Sequence, residues 1–139
     1  MTALDLETAQ KVLDSQPFSR LVGARITAFG GGAATLEIDG REELQQQNGF
    51  LHGGVLAYAA DNALTFAAGT TLGPAVLTGG FSIQYLRPAT GTGLVARADV
   101  VHTGRRQAVA RCELFTVGED GTRTLCAVAQ GTVLNAMSS

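Results

Sequence analysis

Between residues 48 and 69 the chain reads NGFLHGGVLAYAADNALTFAAG, and no other stretch restricts the fold as much. The run predicts a helix over residues 53–69, about 25 Å long at 1.5 Å per residue. Six of its positions, 57, 59, 60, 63, 67 and 68, are alanine, and they are spread around the whole circumference. A helix that is small and apolar on every side is stable only when another layer wraps it. The remaining pattern supplies that layer. Strands are expected at 24–29 and 33–38 around Gly30-Gly31-Gly32, then at about 75–86, 93–103, 107–117 and 123–134. Pro88, Gly91, Gly93, Gly104 and the stretch 118–121 separate the last four. Ahead of all these, Leu6, Ala9, Val12 and Leu13 recur at helical spacing, and Pro17 should stop that short helix. The expectation is an α+β domain spanning residues 1–139, with six antiparallel strands around one long central helix.

Charge fixes part of the strand register. A three-residue loop Gly104-Arg105-Arg106 sets Arg97 opposite Glu113 and Asp99 opposite Arg111, cross-strand pairs worth roughly 0.2–1 kcal/mol each. Ala96, Ala98, Val100, Ala110, Cys112 and Leu114 then share the other face, which suits a core. In the strand at 75–86, Phe81, Ile83 and Tyr85 alternate with Ser82 and Gln84.

Composition narrows the function classes. Apolar residues make up 45% and charged residues 16%, richer and poorer respectively than in a typical soluble monomer. No window approaches the roughly 18 apolar residues of a membrane span, so buried surface between subunits is the expected reason. A net charge of −2 offers nucleic acid no basic field. The acidic start MTALDLE lacks the basic and apolar regions of a secretory signal, which points to the cytoplasm. Cys112 and Cys126 fall inside strands and are expected as reduced, buried thiols. With two distant histidines they provide no metal-site spacing, so no metal is expected.

Against this background Asp61 is conspicuous. No Lys or Arg lies between residues 42 and 86, and a carboxylate in a swallowed helix must be paired or hydrogen-bonded. Thr65, Asn62 or a strand backbone could hold it as a structural group, or it could be placed for chemistry. Gly53-Gly54 favours chemistry. At a helix start, glycine N–H groups unblocked by side chains point along the positive end of the dipole, toward a polarised carbonyl or developing oxyanion. His52 reads as a cap or packed imidazole and is assigned no acid–base work. Gly53 and Asp61 are eight residues apart, or about 12 Å along one helix. One carbonyl cannot meet both within a chain. Two antiparallel helices across a two-fold axis would set each Gly53 against the partner's aspartate.

Gly49-Phe50-Leu51-His52-Gly53-Gly54, followed by Asp61, resembles the hotdog-fold acyl-CoA thioesterases of the phenylacetate-pathway (PaaI-like) type. The likeness covers about residues 20–134; it is fairly specific because the glycine motif and the aspartate occur together. It implies a hotdog fold, with homodimers often paired into dimers of dimers and the site at the interface. It further implies that the Gly53 N–H polarises the thioester carbonyl while Asp61 of the other subunit acts as nucleophile or general base. Thr65 and Thr78 match positions where hydroxyls assist the attacking water. His52 and Gly54 complete the motif, and Gln46 stands where many members carry asparagine six residues before the motif histidine. Arg87, Arg105 and Arg106 are the candidates for the coenzyme A phosphates, with solvated turn arginines as the competing reading. Phe50, Leu51, Tyr58 and Phe66 are candidates for an acyl slot or for the core. No separate cofactor is implied, since coenzyme A belongs to the substrate. The competing functions are a non-catalytic acyl-CoA-binding protein and a hotdog dehydratase or hydratase; the acyl group itself is not legible.

Overall fold

The computed structural model describes residues 4–136. Two short helices, α1 (Leu6–Asp14) and α2 (Pro17–Val22), lead into strands β1 (Arg25–Gly30) and β2 (Ala33–Asp39). After a single 3-10 turn at Glu42–Leu44 come the long helix α3 (Gly53–Leu72) and strands β3 (Val76–Tyr85), β4 (Gly93–Thr103), β5 (Gln107–Val117) and β6 (Arg123–Asn135). All six strands join one antiparallel sheet in the order β1-β2-β4-β5-β6-β3. The sheet curls around α3, as the alanine pattern requires.

The buried face of α3 is Leu56, Ala59, Ala60, Ala63, Leu64, Ala67, Ala68 and Gly69. Five alanines and a glycine let the sheet close on the helix axis. Leu64 and Leu114, both 0% exposed, contribute roughly 1.5–3 kcal/mol each. Gly31 and Gly32 make the β1–β2 turn with φ of 63° and 83°, a pair of left-handed residues that suits a tight hairpin. The charge-derived register also holds, with Arg97 opposite Glu113 and Asp99 opposite Arg111. The ion pairs that close among the described residues are Lys11–Glu7 and Arg25–Asp39, so those facing charges stay apart in solvent. Cys112 and Cys126 are free and buried. No described helix is long and apolar enough to cross a membrane.

Three local expectations need correction. Pro17 does not merely stop α1; it begins α2 from the first helical position, where its missing N–H costs nothing. Helix α3 runs to Leu72, three residues past the predicted end, and closes at Gly73. Asp61 is half-buried rather than swallowed, because it lies off the fully buried face of α3, beside β3 at the edge of the sheet.

Candidate active site

The first turn of α3 has no preceding helical carbonyls to receive its N–H groups. His52 caps it, its Nδ1 accepting the Gly54 N–H at 2.8 Å. The imidazole is therefore a helix cap with its proton on Nε2. The expectation that both glycine N–H groups point outward is thus corrected: Gly54 is occupied by His52. Among the described residues the Gly53 N–H meets no acceptor, and it sits at the positive end of a 20-residue helix. The Tyr85 hydroxyl donates to the Gly53 carbonyl at 2.9 Å.

A depression of about 390 Å³ opens beside this turn, lined by Gln46, Phe50, Gly53, Tyr85 and Arg87 among others. The Gln46 side chain folds back on its own loop, where its Oε1 accepts the Asn48 N–H. Arg87 is exposed on the rim, its backbone N–H directed to the Cys126 carbonyl at 3.3 Å.

Two turns along α3, Asp61 meets the hydroxyls of Thr65 and Thr78. Thr78 donates to the Asp61 carboxylate at 2.5 Å, Thr65 donates to the Asp61 backbone carbonyl at 2.8 Å, and the two hydroxyls lie 2.8 Å apart. These three contacts share two protons. The charge-assisted bond to the carboxylate takes that of Thr78. The Thr65 proton is left to divide between the Asp61 carbonyl and Thr78. One carboxylate oxygen is held, and the second has no donor among the described residues.

Thr78 owes its place to a bulge. Thr78 pairs with Val133 and Gly80 with Thr132, so Gly79 is an extra residue in β3 that re-aims the hydroxyl toward α3. The glycine pair inside a strand was the available sign of that bulge.

The structure thus gathers Gln46, Gly53 and Arg87 around the helix start, with His52 and Gly54 as its cap. Asp61, Thr65 and Thr78 form a second cluster farther along. Arg105 and Arg106 join neither. Their loop lies by the opposite end of α3, where Thr103 hydrogen-bonds Thr71 at 3.0 Å. Of the proposed acyl-slot residues, Phe50 faces the depression, Leu51 is core, and Phe66 stacks edge-on against Phe29 at 6.3 Å. Tyr58 instead contacts the buried Ser19 hydroxyl at 2.5 Å, in a network with Gln16 and Asn62. Nothing in the residues signalled this network. Nor was the contact between Tyr85 and Gly53 foreseen, because alternation assigned Tyr85 only to a face of β3.

The family model described as thioesterase superfamily matches residues 48–122, more than half of the chain. A thioesterase family protein of Silicibacter pomeroyi is 35% identical, with a TM-score of 0.83 over 91% of this chain and 96% of that one. A point variant of the phenylacetic acid degradation protein PaaI from Thermus thermophilus is 31% identical, with a TM-score of 0.75 over 86% and 99%. Among curated proteins, the 1,4-dihydroxy-2-naphthoyl-CoA hydrolase of Listeria monocytogenes is 27% identical over 81% of this chain and 89% of its own. With the glycine-led helix wrapped by a six-stranded sheet, these likenesses show that the chain belongs to the thioesterase superfamily and is a thioester hydrolase of hotdog fold.

Proposed function

We propose that the protein hydrolyses an acyl-CoA thioester to a carboxylic acid and free coenzyme A, in sites shared across a homodimer. The observation that carries this reading is the Gly53 N–H, which has no acceptor among the described residues and faces a depression rimmed by Arg87. An amide at the positive end of a helix favours the oxyanion of a tetrahedral intermediate more than it does the ground-state carbonyl. Asp61 of the partner either attacks the carbonyl directly, giving an anhydride that water then opens, or takes a proton from the attacking water. In both routes the carbon–sulfur bond breaks, and the coenzyme A thiolate leaves and is protonated. Thr78 and Thr65 orient Asp61 and supply hydroxyls beside its open oxygen.

A dimer is supported by the edge strand β3. It is unpaired on one side and exposes Leu77 and Tyr85, while Leu134 stands beside Leu77 on β6. An exposed apolar edge of this kind invites pairing with a second copy. A dimer of dimers would be the next level of assembly.

Complementation tests the shared site. Gly53→Pro removes the amide donor; its Cβ would press on the Tyr85 hydroxyl at 3.3 Å, a contact that an exposed side chain can relieve. Asp61→Ala removes the carboxylate. Each homodimer should be nearly inactive, at least about 100-fold down in kcat. A heterodimer of the two, purified by separate tags, should recover up to about half of the wild-type activity, since one composite site is intact. A heterodimer as inactive as its folded parents would refute the shared site.

A further inference from the structure

We propose that Tyr85 is a positioning residue for catalysis, acting with His52 to clamp the Gly53–Gly54 peptide and so aim the Gly53 N–H. The inference rests on the reading of Gly53 as the carbonyl-polarising amide. Two successive glycines have the greatest backbone freedom of any dipeptide, and a first helical turn has no upstream carbonyls to hold its N–H groups. The carbonyl of the His52–Gly53 peptide accepts the Val55 N–H at 2.9 Å, whereas its N–H, that of Gly53, has no acceptor among the described residues. An oxyanion donor must keep its direction within about 10–20°.

The structure holds the Gly53–Gly54 peptide from both ends. Its N–H donates to His52 Nδ1 at 2.8 Å, and its carbonyl accepts from the Tyr85 hydroxyl at 2.9 Å. Holding this peptide on one side of the Gly53 Cα, with the His52 carbonyl accepting the Val55 N–H at 2.9 Å on the other, narrows the φ and ψ of Gly53, the two torsions that set the direction of its N–H. The two bonds also reinforce each other. A carbonyl polarised by the phenol makes its own N–H a stronger donor to the imidazole.

A second contact shows that the phenol and the glycine belong together. A Cβ at residue 53 would lie 3.3 Å from the Tyr85 hydroxyl oxygen and 3.4 Å from Cζ. Tyr85 therefore occupies the place of the missing side chain. Both residues line the same depression. Tyr85 and Thr78 are on the same strand, seven residues apart, so β3 reaches both Gly53 and Asp61 of its own chain.

The test is Tyr85→Phe, which deletes only the hydroxyl. Release of free thiol from an acyl-CoA should show kcat lowered about tenfold and KM within about twofold, the signature of an interaction that matters in the transition state. The thermal midpoint and oligomeric state should stay unchanged, and the amide NMR signals of Gly53 and Gly54 should shift and broaden. His52→Asn, which keeps an acceptor at the cap, should retain clearly more activity than His52→Ala. Wild-type kcat in Tyr85→Phe would overturn the clamp, as would a loss of activity that merely tracks a loss of stability or assembly. The two readings fail separately. An inactive Gly53→Pro beside a fully active Tyr85→Phe removes the clamp alone, whereas an active Gly53→Pro removes the role of Gly53 and the clamp with it.

Discussion

A single methyl group on Gly131 should displace the strand that carries much of the site. Gly131 lies in β6, between Ala110 of β5 and Phe81 of β3. A Cβ there would stand 2.5 Å from the Phe81 Cβ and 2.6 Å from the Gly80 carbonyl oxygen. Carbon atoms rest at about 3.5–4.0 Å, so β3 would have to retreat by about 1 Å. A shift of that size carries ladder bonds of about 2.9 Å beyond hydrogen-bonding range. Overpacking costs about 1–3 kcal/mol, and each ladder bond weakened adds about 0.5–1.5 kcal/mol. The sum for Gly131→Ala is about 2–5 kcal/mol, or a fall in Tm on the order of 8–20 °C. Gly80→Ala, on the adjoining strand, is the control, because among the described residues nothing lies within 4 Å of its added Cβ. Circular dichroism melts of both variants at equal protein concentration make the comparison. Activity should fall as well in Gly131→Ala, since Thr78 and Tyr85 travel with β3. A Gly131→Ala protein melting within about 2 °C of Gly80→Ala would show that the strand spacing is not set by this contact.

In the proposed shared site an antiparallel partner helix would carry the far end of its α3 past Gly53, so replacing Arg105 and Arg106 together by alanine should raise KM for a coenzyme A thioester and leave a pantetheine thioester nearly unaffected, the pattern of lost uniform binding. An equal rise for both substrates would mean that the loop does not meet the nucleotide end. The cysteines should be inert in the native protein. Burial, with the negative charges of Glu113 and Asp99 nearby, pushes the Cys112 thiol up to about 12, and burial also raises Cys126. At pH 8 roughly one Cys112 in ten thousand is a thiolate, so a disulfide-exchange reagent should register two thiols only after denaturation. Rapid reaction of the native fold would contradict that burial.

The local geometry was legible wherever chain chemistry punctuates it. Gly104 and Gly93 marked the bounds of β4, and the facing charges of Arg97, Asp99, Arg111 and Glu113 fixed its register with β5. The alanines of α3 announced that it would be wrapped. Strand order was not legible, since the placement of β3 beside β6 depends on contacts some fifty residues apart, for which periodicity carries no signal. The same limit applies to the site. Asp61 and Thr65 are neighbours by helical spacing, but the approach of Thr78 needs the bulge at Gly79, and the approach of Tyr85 needs β3 to run alongside α3. The sequence overstates the depth of Asp61, because alanine on every side of a helix does not tell which side the sheet leaves open. For the arginines, sequence could not separate Arg87, beside Gly53, from Arg105 and Arg106 at the far end of the same helix.

The strand order also dictates when the site can come into being. Strand β3 follows α3 almost at once, yet its pairing partner is β6, and Thr78 lies opposite Val133. A chain emerging from the ribosome would expose α3 and β3 while residues 123–135 were still to be made. Closure of such a distant pairing is the slow, entropically costly part of folding. The hydrogen bonds from Thr78 to Asp61 and from Tyr85 to Gly53 therefore wait on the last strand. A nascent chain passes through most of its synthesis with neither half of its chemistry assembled, and reactivity arrives together with the completed sheet.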